Sequence, residues 1–189
     1  ESSSAALVAT KTLLFPEPPK PEKYQSLPSV RIGSIAGLLE LLEDRQGDLY
    51  RLAQELQLEV DEILPIVEAA DAMDLVTVRE GDISLTSTGQ TFIAGGIDER
   101  KQIIRAQLLA HIRLVQQVYH LLQAKRNQRI PEELILDILE AHFSPKEAVR
   151  QLDTAIDWGR YAELYSYDEP AGEIFLEQVP VVEEEPSQV

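Results

Sequence analysis

Leu75-Val76-Thr77-Val78-Arg79-Glu80-Gly81-Asp82-Ile83-Ser84-Leu85-Thr86 is the stretch on which the fold turns. Residues 75–78 and 83–85 are rich in strand-forming side chains. Glu80-Gly81-Asp82 between them offers a glycine for positive φ, so the stretch predicts a β-hairpin. Upstream, the apolar period is helical. Ser34 can cap a helix carrying Ile35, Leu38, Leu39 and Leu42. Gly47 and Asp48 break and restart the chain ahead of a short helix with Leu49, Leu52, Ala53 and Leu56. After a turn at 57–59, Asp61 can cap a third helix bearing Ile63, Leu64, Val67, Ala70 and Met73, with Pro65 near its first turn, where a missing N–H does least harm. Three helices followed by a hairpin form a winged-helix arrangement, in which the second and third helices make a helix-turn-helix.

The same plan recurs downstream. Thr86 or Ser87 can cap a helix that reaches Ala94 and stops at Gly95 and Gly96. Asp98 can cap a long stretch over 99–125 with Ile103, Ile104, Leu108, His111, Leu114, Val115, Val118, Leu121 and Leu122 on one stripe. At that length a break near 110–113 would make it two helices. A loop follows at 126–130, and Pro131 is placed at the first position of a helix with Leu134, Ile135, Ile138, Leu139 and Phe143. Ser144-Pro145-Lys146-Glu147 has capping-box spacing and opens a helix through Ala148, Leu152, Ala155 and Ile156 that stops near Trp158 and Gly159. A second hairpin is expected over 161–167 and 174–177, turning at 168–172. Residues 69–86 and 155–177 thus share one plan about 80 residues apart, a diverged internal repeat. The expected fold class is mainly α with small β-hairpins (α+β), as tandem winged-helix units.

The expected organisation is an extended Pro-rich linker over 1–30, a first winged-helix unit over 31–97, a long helix and second unit over 98–178, and a disordered acidic tail over 179–189. The linker reading rests on Ser2, Ser3 and Ser4 and on Pro16, Pro18, Pro19 and Pro21 among charged residues, a solvated composition; Leu13, Leu14 and Phe15 could dock on a neighbour. The tail carries Glu183, Glu184 and Glu185 between Pro180 and Pro186.

Composition narrows the functions. Of 189 residues 44% are hydrophobic, enough for one large or two small cores. The first residue is Glu1, which suits a processed chain or a piece of a longer one. Residues 5–8 are too short for a signal-peptide core, and no run approaches the roughly 18 apolar residues of a membrane span. There is no Cys, which excludes disulfides and thiolate metal sites and fits the cytoplasm. Lys and Arg number 17 against 33 Asp and Glu, a formal net charge of -16. Phosphate backbones and anionic membranes both attract proteins through cations. The third helix of the first unit holds Glu59, Asp61, Glu62, Glu68, Asp71 and Asp74 with no Lys or Arg, and its wing sets Glu80 and Asp82 against Arg79. In the second unit Lys146 and Arg150 are offset by Glu147, Asp153 and Asp157.

No catalytic constellation stands out. Gly33 and Gly37 lack the following Lys of a phosphate-binding loop and read as small residues for close helix packing. His111, His120 and His142 have no metal-ligand spacing, and His111 reads as a core or boundary residue. Ser87 and Thr88 are explained as caps; Glu132, Glu133, Asp137 and Glu140 read as an exposed helix face. Two features could carry an interaction. Lys125, Arg126 and Arg129 form a basic cluster that could meet an acidic protein surface, a nucleotide or an anionic effector, or simply answer a helix dipole. Trp158, Tyr161, Tyr165 and Tyr167, with Arg160 among them, could anchor an interface, the tyrosines projecting from one hairpin face at a period of two. They could equally cover the second unit's core. No catalytic, metal or cofactor residue is assigned.

The runs Ile32-Gly33-Ser34-Ile35-Ala36-Gly37-Leu38-Leu39-Glu40, Gly81-Asp82-Ile83-Ser84-Leu85-Thr86 and Gln151-Leu152-Asp153-Thr154-Ala155-Ile156-Asp157-Trp158-Gly159-Arg160-Tyr161-Ala162-Glu163 resemble the AAA-associated C-terminal domain, over about Arg31 to Glu177. That domain follows the nucleotide-binding domain in ATPase subunits of ABC importers of the nitrate, sulfonate and taurine type. A proline that the family often carries near Arg113 is missing here, which would let the long helix stay continuous. The resemblance implies a non-catalytic regulatory or interaction domain on the cytoplasmic side, held to the membrane only through the transporter. Its partners would be the parent ATPase domain and transporter subunits, a second copy of itself, or a small anionic effector, without nucleic acid or membrane insertion. The second reading is a winged-helix transcription regulator. The third is a small enzyme, for which no residues can be named.

Overall fold

A computed structural model describes residues 24–43 and 47–177. The first half runs α1 (Ile32–Leu42), β1 (Gly47–Asp48), α2 (Leu49–Leu56), α3 (Val60–Ala72), β2 (Val76–Arg79) and β3 (Asp82–Leu85). After α4 (Ser87–Ala94) and α5 (Ile97–His111) the order repeats as α6 (Arg113–Ala124), β4 (Arg129–Pro131), α7 (Glu132–Glu140), α8 (Pro145–Tyr161), β5 (Ser166–Asp168) and β6 (Glu173–Phe175). The order helix, strand, helix, helix, strand, strand therefore occurs twice. The protein is mainly α-helical with small antiparallel strand pairs.

The first hairpin lies where its strand-forming runs place it. The second is shorter than the expected 161–167 and 174–177, because the preceding helix runs through Tyr161 and the strands cover only 166–168 and 173–175. In the first hairpin, Val76 pairs with Leu85 and Val78 with Ile83, and the turn takes positive φ at Glu80 (52°) and Gly81 (86°), a combination suited to tight hairpins. Each sheet has a third strand that the sequence reading treats as a chain break or a loop: β1 on β3 and β4 on β6, giving orders β1-β3-β2 and β4-β6-β5. Strands of two and three residues are too short to show alternation. Pro131 accordingly ends β4 instead of opening the helix.

Three expected caps lie inside their helices. Arg31 precedes α1, Glu59 precedes α3 and Gly96 precedes α5, so Ser34, Asp61 and Asp98 sit in first turns. Acidic residues favour both places, since a first turn also attracts negative charge. Thr86 and Ser144 do cap: the N–H groups of Gly89 and Glu147 donate to their hydroxyls at 3.0 and 3.2 Å.

The long stretch breaks at Ile112, inside the expected window, so the helix is not continuous despite the missing proline. Ile112 is extended (φ −106°, ψ 98°), its N–H closes α5 on Leu108, and its carbonyl accepts the Gln116 N–H that opens α6. The freed Leu109 carbonyl accepts the Gln116 side-chain amide at 2.6 Å. Ile112 itself is fully buried, so the kink delivers an apolar side chain to the core. Its neighbour His111 is exposed, against the core reading of that histidine. Gly33 and Gly37 also differ from expectation: both are exposed, and a Cβ at either would meet nothing within 4 Å.

Buried side chains form one continuous cluster, from Ile35, Leu39, Ile63, Met73 and Phe92 through Ile104 and Leu108 on α5 to Val118, Leu139, Trp158 and Ile174. The N-terminal 24–30 stretch, expected to be solvated, packs against this cluster and buries Leu27. The remaining linker features up to Pro21 and the tail over 179–189 lie outside the described residues.

Candidate functional site

Residues 24–31 form a strap without helix or strand that is fastened to α8. Gln151 lies on the buried face of α8 between Ala148, Leu152 and Ala155, where the helical period calls for an apolar residue. Its Oε1 accepts the Leu27 N–H at 2.7 Å and its Nε2 donates to the Leu27 carbonyl at 3.0 Å. Two turns on, the Trp158 indole N–H donates to the Val30 carbonyl at 2.6 Å. Trp158 is fully buried and so belongs to the core, not to an open interface. Tyr24 packs edge-on against His142 with the Arg113 guanidinium 5.6 Å from its ring. A groove of about 620 Å³ follows the strap, with Pro65 and Glu68 of α3 on one wall and Arg150 of α8 on the other. The third helices of the two repeats thus meet at the strap.

The tyrosines do not share a hairpin face. Helix α8 continues past Trp158 and Gly159 to Tyr161, so Tyr161 is helical. Tyr165 is buried; its hydroxyl donates to the Ala155 carbonyl at 2.6 Å and its ring fills the space beside Gly159, where a Cβ would stand 2.2 Å from it. Burial pushes the Tyr165 phenol up. Tyr167 alone lies in β5, and its hydroxyl donates to Glu132 Oε2 at 2.6 Å. That bond, with smaller help from desolvation and nearby carboxylates, pushes the Tyr167 phenol up to about 12.

The basic cluster also separates. Arg129 donates from Nη2 to Asp168 at 3.0 Å and from Nε to Glu173 at 2.7 Å, and its guanidinium lies 4.7 Å from the Phe175 ring. It clips β4 to the hairpin. Lys125 and Arg126 stay exposed at the end of α6. Spacing along the chain could not show this, because the two carboxylates come from 39 and 44 positions away.

A third arrangement was not read from the sequence. Where α5 and α6 meet the end of α8, a cleft of about 670 Å³ is lined by Arg105, Tyr119, Arg160, Glu163, Ser166 and Glu177, among others. Arg105 donates from Nη1 to the Glu163 carbonyl at 3.2 Å and from Nη2 to the Tyr119 hydroxyl at 3.3 Å, with its guanidinium 5.8 Å from the Tyr119 ring. The Glu163 carboxylate takes Lys101 Nζ at 2.9 Å, which holds its pKa below the usual carboxylate range. Arg160 is exposed in the last turn of α8, and its guanidinium has no ion pair or hydrogen bond among the described residues. Arg105 lies next to buried Ile104 on α5, and an Arg directly beside the apolar stripe was the available signal. Among the described residues no group of His, Asp or Glu could hold a metal ion, and no helix is long and apolar enough to cross a membrane.

No curated protein matches the chain. Among solved structures it is similar, at 18% identity, to N,N-8-amino-8-demethyl-D-riboflavin dimethyltransferase from Streptomyces davawensis. That alignment covers 85% of this chain and 46% of the other, and its TM-score of 0.32 is too low to carry an argument. The chain spans less than half of that protein. The model of one family, the C-terminal AAA-associated domain, matches residues 50–168. That match takes in more than half of the sequence, including the first hairpin, the strand of Arg129, α8 and β5, and on it the chain belongs to the C-terminal AAA-associated domain family.

Proposed function

We propose that this domain is the non-catalytic regulatory and interaction module of an ABC-type importer's ATP-binding subunit. It works on the cytoplasmic side, through contacts with the parent ATPase domain, the transporter subunits or a second copy of itself. Each repeat is read as a winged-helix unit, from its order of helix, strand, helix, helix, strand and strand. The observation that carries the reading is the strap. The chain arriving ahead of α1 is hydrogen-bonded through Leu27 and Val30 to α8, 124 and 128 positions onward. A displacement of whatever precedes the strap must either break these buried bonds or move α8 with it. That is a route for coupling, since an effector or partner shifts an equilibrium only by treating its two states differently.

Winged helices also bind DNA, but the surface here argues for proteins or ligands. Asp61, Glu62, Glu68 and Asp71 are exposed along α3 with no cation among them. A phosphate backbone would be repelled there. The test compares ATP hydrolysis and transport by the full-length subunit with and without residues 31–178. The expected result is a changed rate in at least one condition; equal rates in every condition overturn the reading.

A further inference from the structure

We propose that the cleft between α5, α6 and the end of α8 binds a small polar anion, with a carboxylate or phosphate group held by Arg160 and Arg105. This deepens the regulatory reading and rests on it for its consequence, though not for its chemistry. A volume of about 670 Å³ falls among those of small-molecule sites, and the walls come from four helices and strands. The Arg160 guanidinium is exposed in the cleft and makes no ion pair or side-chain hydrogen bond among the described residues. A guanidinium presents a planar fork of donors that fits carboxylates and phosphates in pairs. Arg105 is already held over Tyr119 by its bonds to the Glu163 carbonyl and the Tyr119 hydroxyl, so little freedom remains for a ligand to remove.

The charges around the cleft point the same way. Glu163, which would repel an anion, is paired with Lys101, leaving Arg105 and Arg160 against Glu177. Glu177 in turn accepts from the Ser166 hydroxyl at 2.9 Å. Ser166 and Glu177 can accept from O–H or N–H groups, so the site favours an anion that also carries a hydroxyl or amine over a bare ion. Arg160 follows Trp158 by two residues on α8, and Trp158 holds Val30 of the strap. A ligand on Arg160 and the strap on Trp158 therefore act on the same end of one helix.

The test uses the whole 189-residue chain and three probes: inorganic phosphate, glycerol phosphate and glutamate. Calorimetry and thermal unfolding follow each up to about 10 mM, a range that captures even millimolar sites. At least one probe is expected to bind and to raise the melting temperature, more strongly for the two organic anions than for phosphate. Arg160→Gln, which breaks no side-chain hydrogen bond or ion pair among the described residues, is expected to weaken binding about tenfold or more, since bonds to charged groups are the strong ones. Arg126→Gln, on an exposed cation that does not line the cleft, should leave it unchanged. No binding of any probe, or equal binding by Arg160→Gln, overturns the site. The binding probe is then added to the full-length ATPase subunit. An unaltered rate there refutes regulation through the site while the site stands; a rate changed by deleting 31–178 with no anion bound keeps the regulatory reading and removes the site.

Discussion

Gln151 gives Leu27 the pair of hydrogen bonds that a neighbouring strand would give, accepting its N–H at 2.7 Å and donating to its carbonyl at 3.0 Å across 124 positions. Leu27 and Gln151 are both buried, so neither backbone group has water to fall back on. A buried donor or acceptor left unmade is costly.

Replacing Gln151 by Ala therefore leaves two buried backbone groups unpaired. The expected loss is about 3 kcal/mol of unfolding free energy. Urea unfolding measures it, and protease cleavage within residues 24–31 should accelerate in parallel. A change below about 0.5 kcal/mol, the ordinary range of surface substitutions, would mean that the strap is not held as described.

Two glycine substitutions should act in opposite directions. Gly159→Ala drives a methyl into the buried Tyr165 ring, which is also tied to Ala155, and overpacking of this kind costs roughly 1–3 kcal/mol. Gly37→Ala adds a methyl to open space in the middle of α1, where it should stabilise by about 0.5–1 kcal/mol. Thermal or urea unfolding of the pair decides the matter, and equal signs would be incompatible with this packing.

Tyr167 provides a pH signature. Its folded-state pKa, about 12, lies above the ordinary phenol value of 10.0 because the neutral hydroxyl donates to Glu132. A group raised in this way contributes stability that is fully present below the unfolded pKa and is lost as pH rises through the folded one. The stability difference between wild type and Tyr167→Phe should thus be constant from neutral pH to about pH 10 and be mostly lost by about pH 12. Difference ultraviolet titration of the two proteins should show one late phenolate; an ordinary titration for Tyr167 would remove the Glu132 bond from the account.

Arg113 is the first residue of α6, and Ile112 before it is already extended, as a residue preceding proline must be. Measured against Arg113→Ala, Arg113→Pro should change stability by no more than about 1 kcal/mol, since a first-turn N–H has no helical partner to lose. Gln117→Pro, in the interior of the same helix, should cost about 3 kcal/mol or more relative to Gln117→Ala. If both proline variants unfold alike, α5 and α6 do not part at Ile112.

The exposed carboxylates of α3 predict a negative result with duplex DNA. At about 0.15 M salt, binding should be weaker than about 10 µM, within or beyond the range of non-specific contacts. A gel shift at several salt concentrations measures it, and submicromolar binding would favour the transcription-regulator reading.

The first hairpin and the twofold order could be read directly, because strand-forming runs, a turn glycine and an apolar stripe are local patterns. The second hairpin was legible only in outline, and the break at Ile112 stayed one of two alternatives, because length alone does not say where a helix ends. β1 and β4 could not, since two or three residues contain no period. Gln151 was visible as a polar residue on an apolar stripe, but its partner was not. The residue types at Trp158, Arg129 and Tyr165 were known in advance, and their roles were not. Arg129 could be a ligand anchor or a clip until Asp168 and Glu173 come to it, and Trp158 could be an interface until Val30 covers it. Gly33 and Gly37 looked like contact points and face open space. Sequence by itself determined the helices and hairpins, their twofold order and the acidic character of α3, because these depend on neighbours along the chain. Which charges are satisfied, where the strap lies and that Arg105 and Arg160 share a cleft were decided only by tertiary structure, because each depends on groups brought together from distant positions by burial of the core.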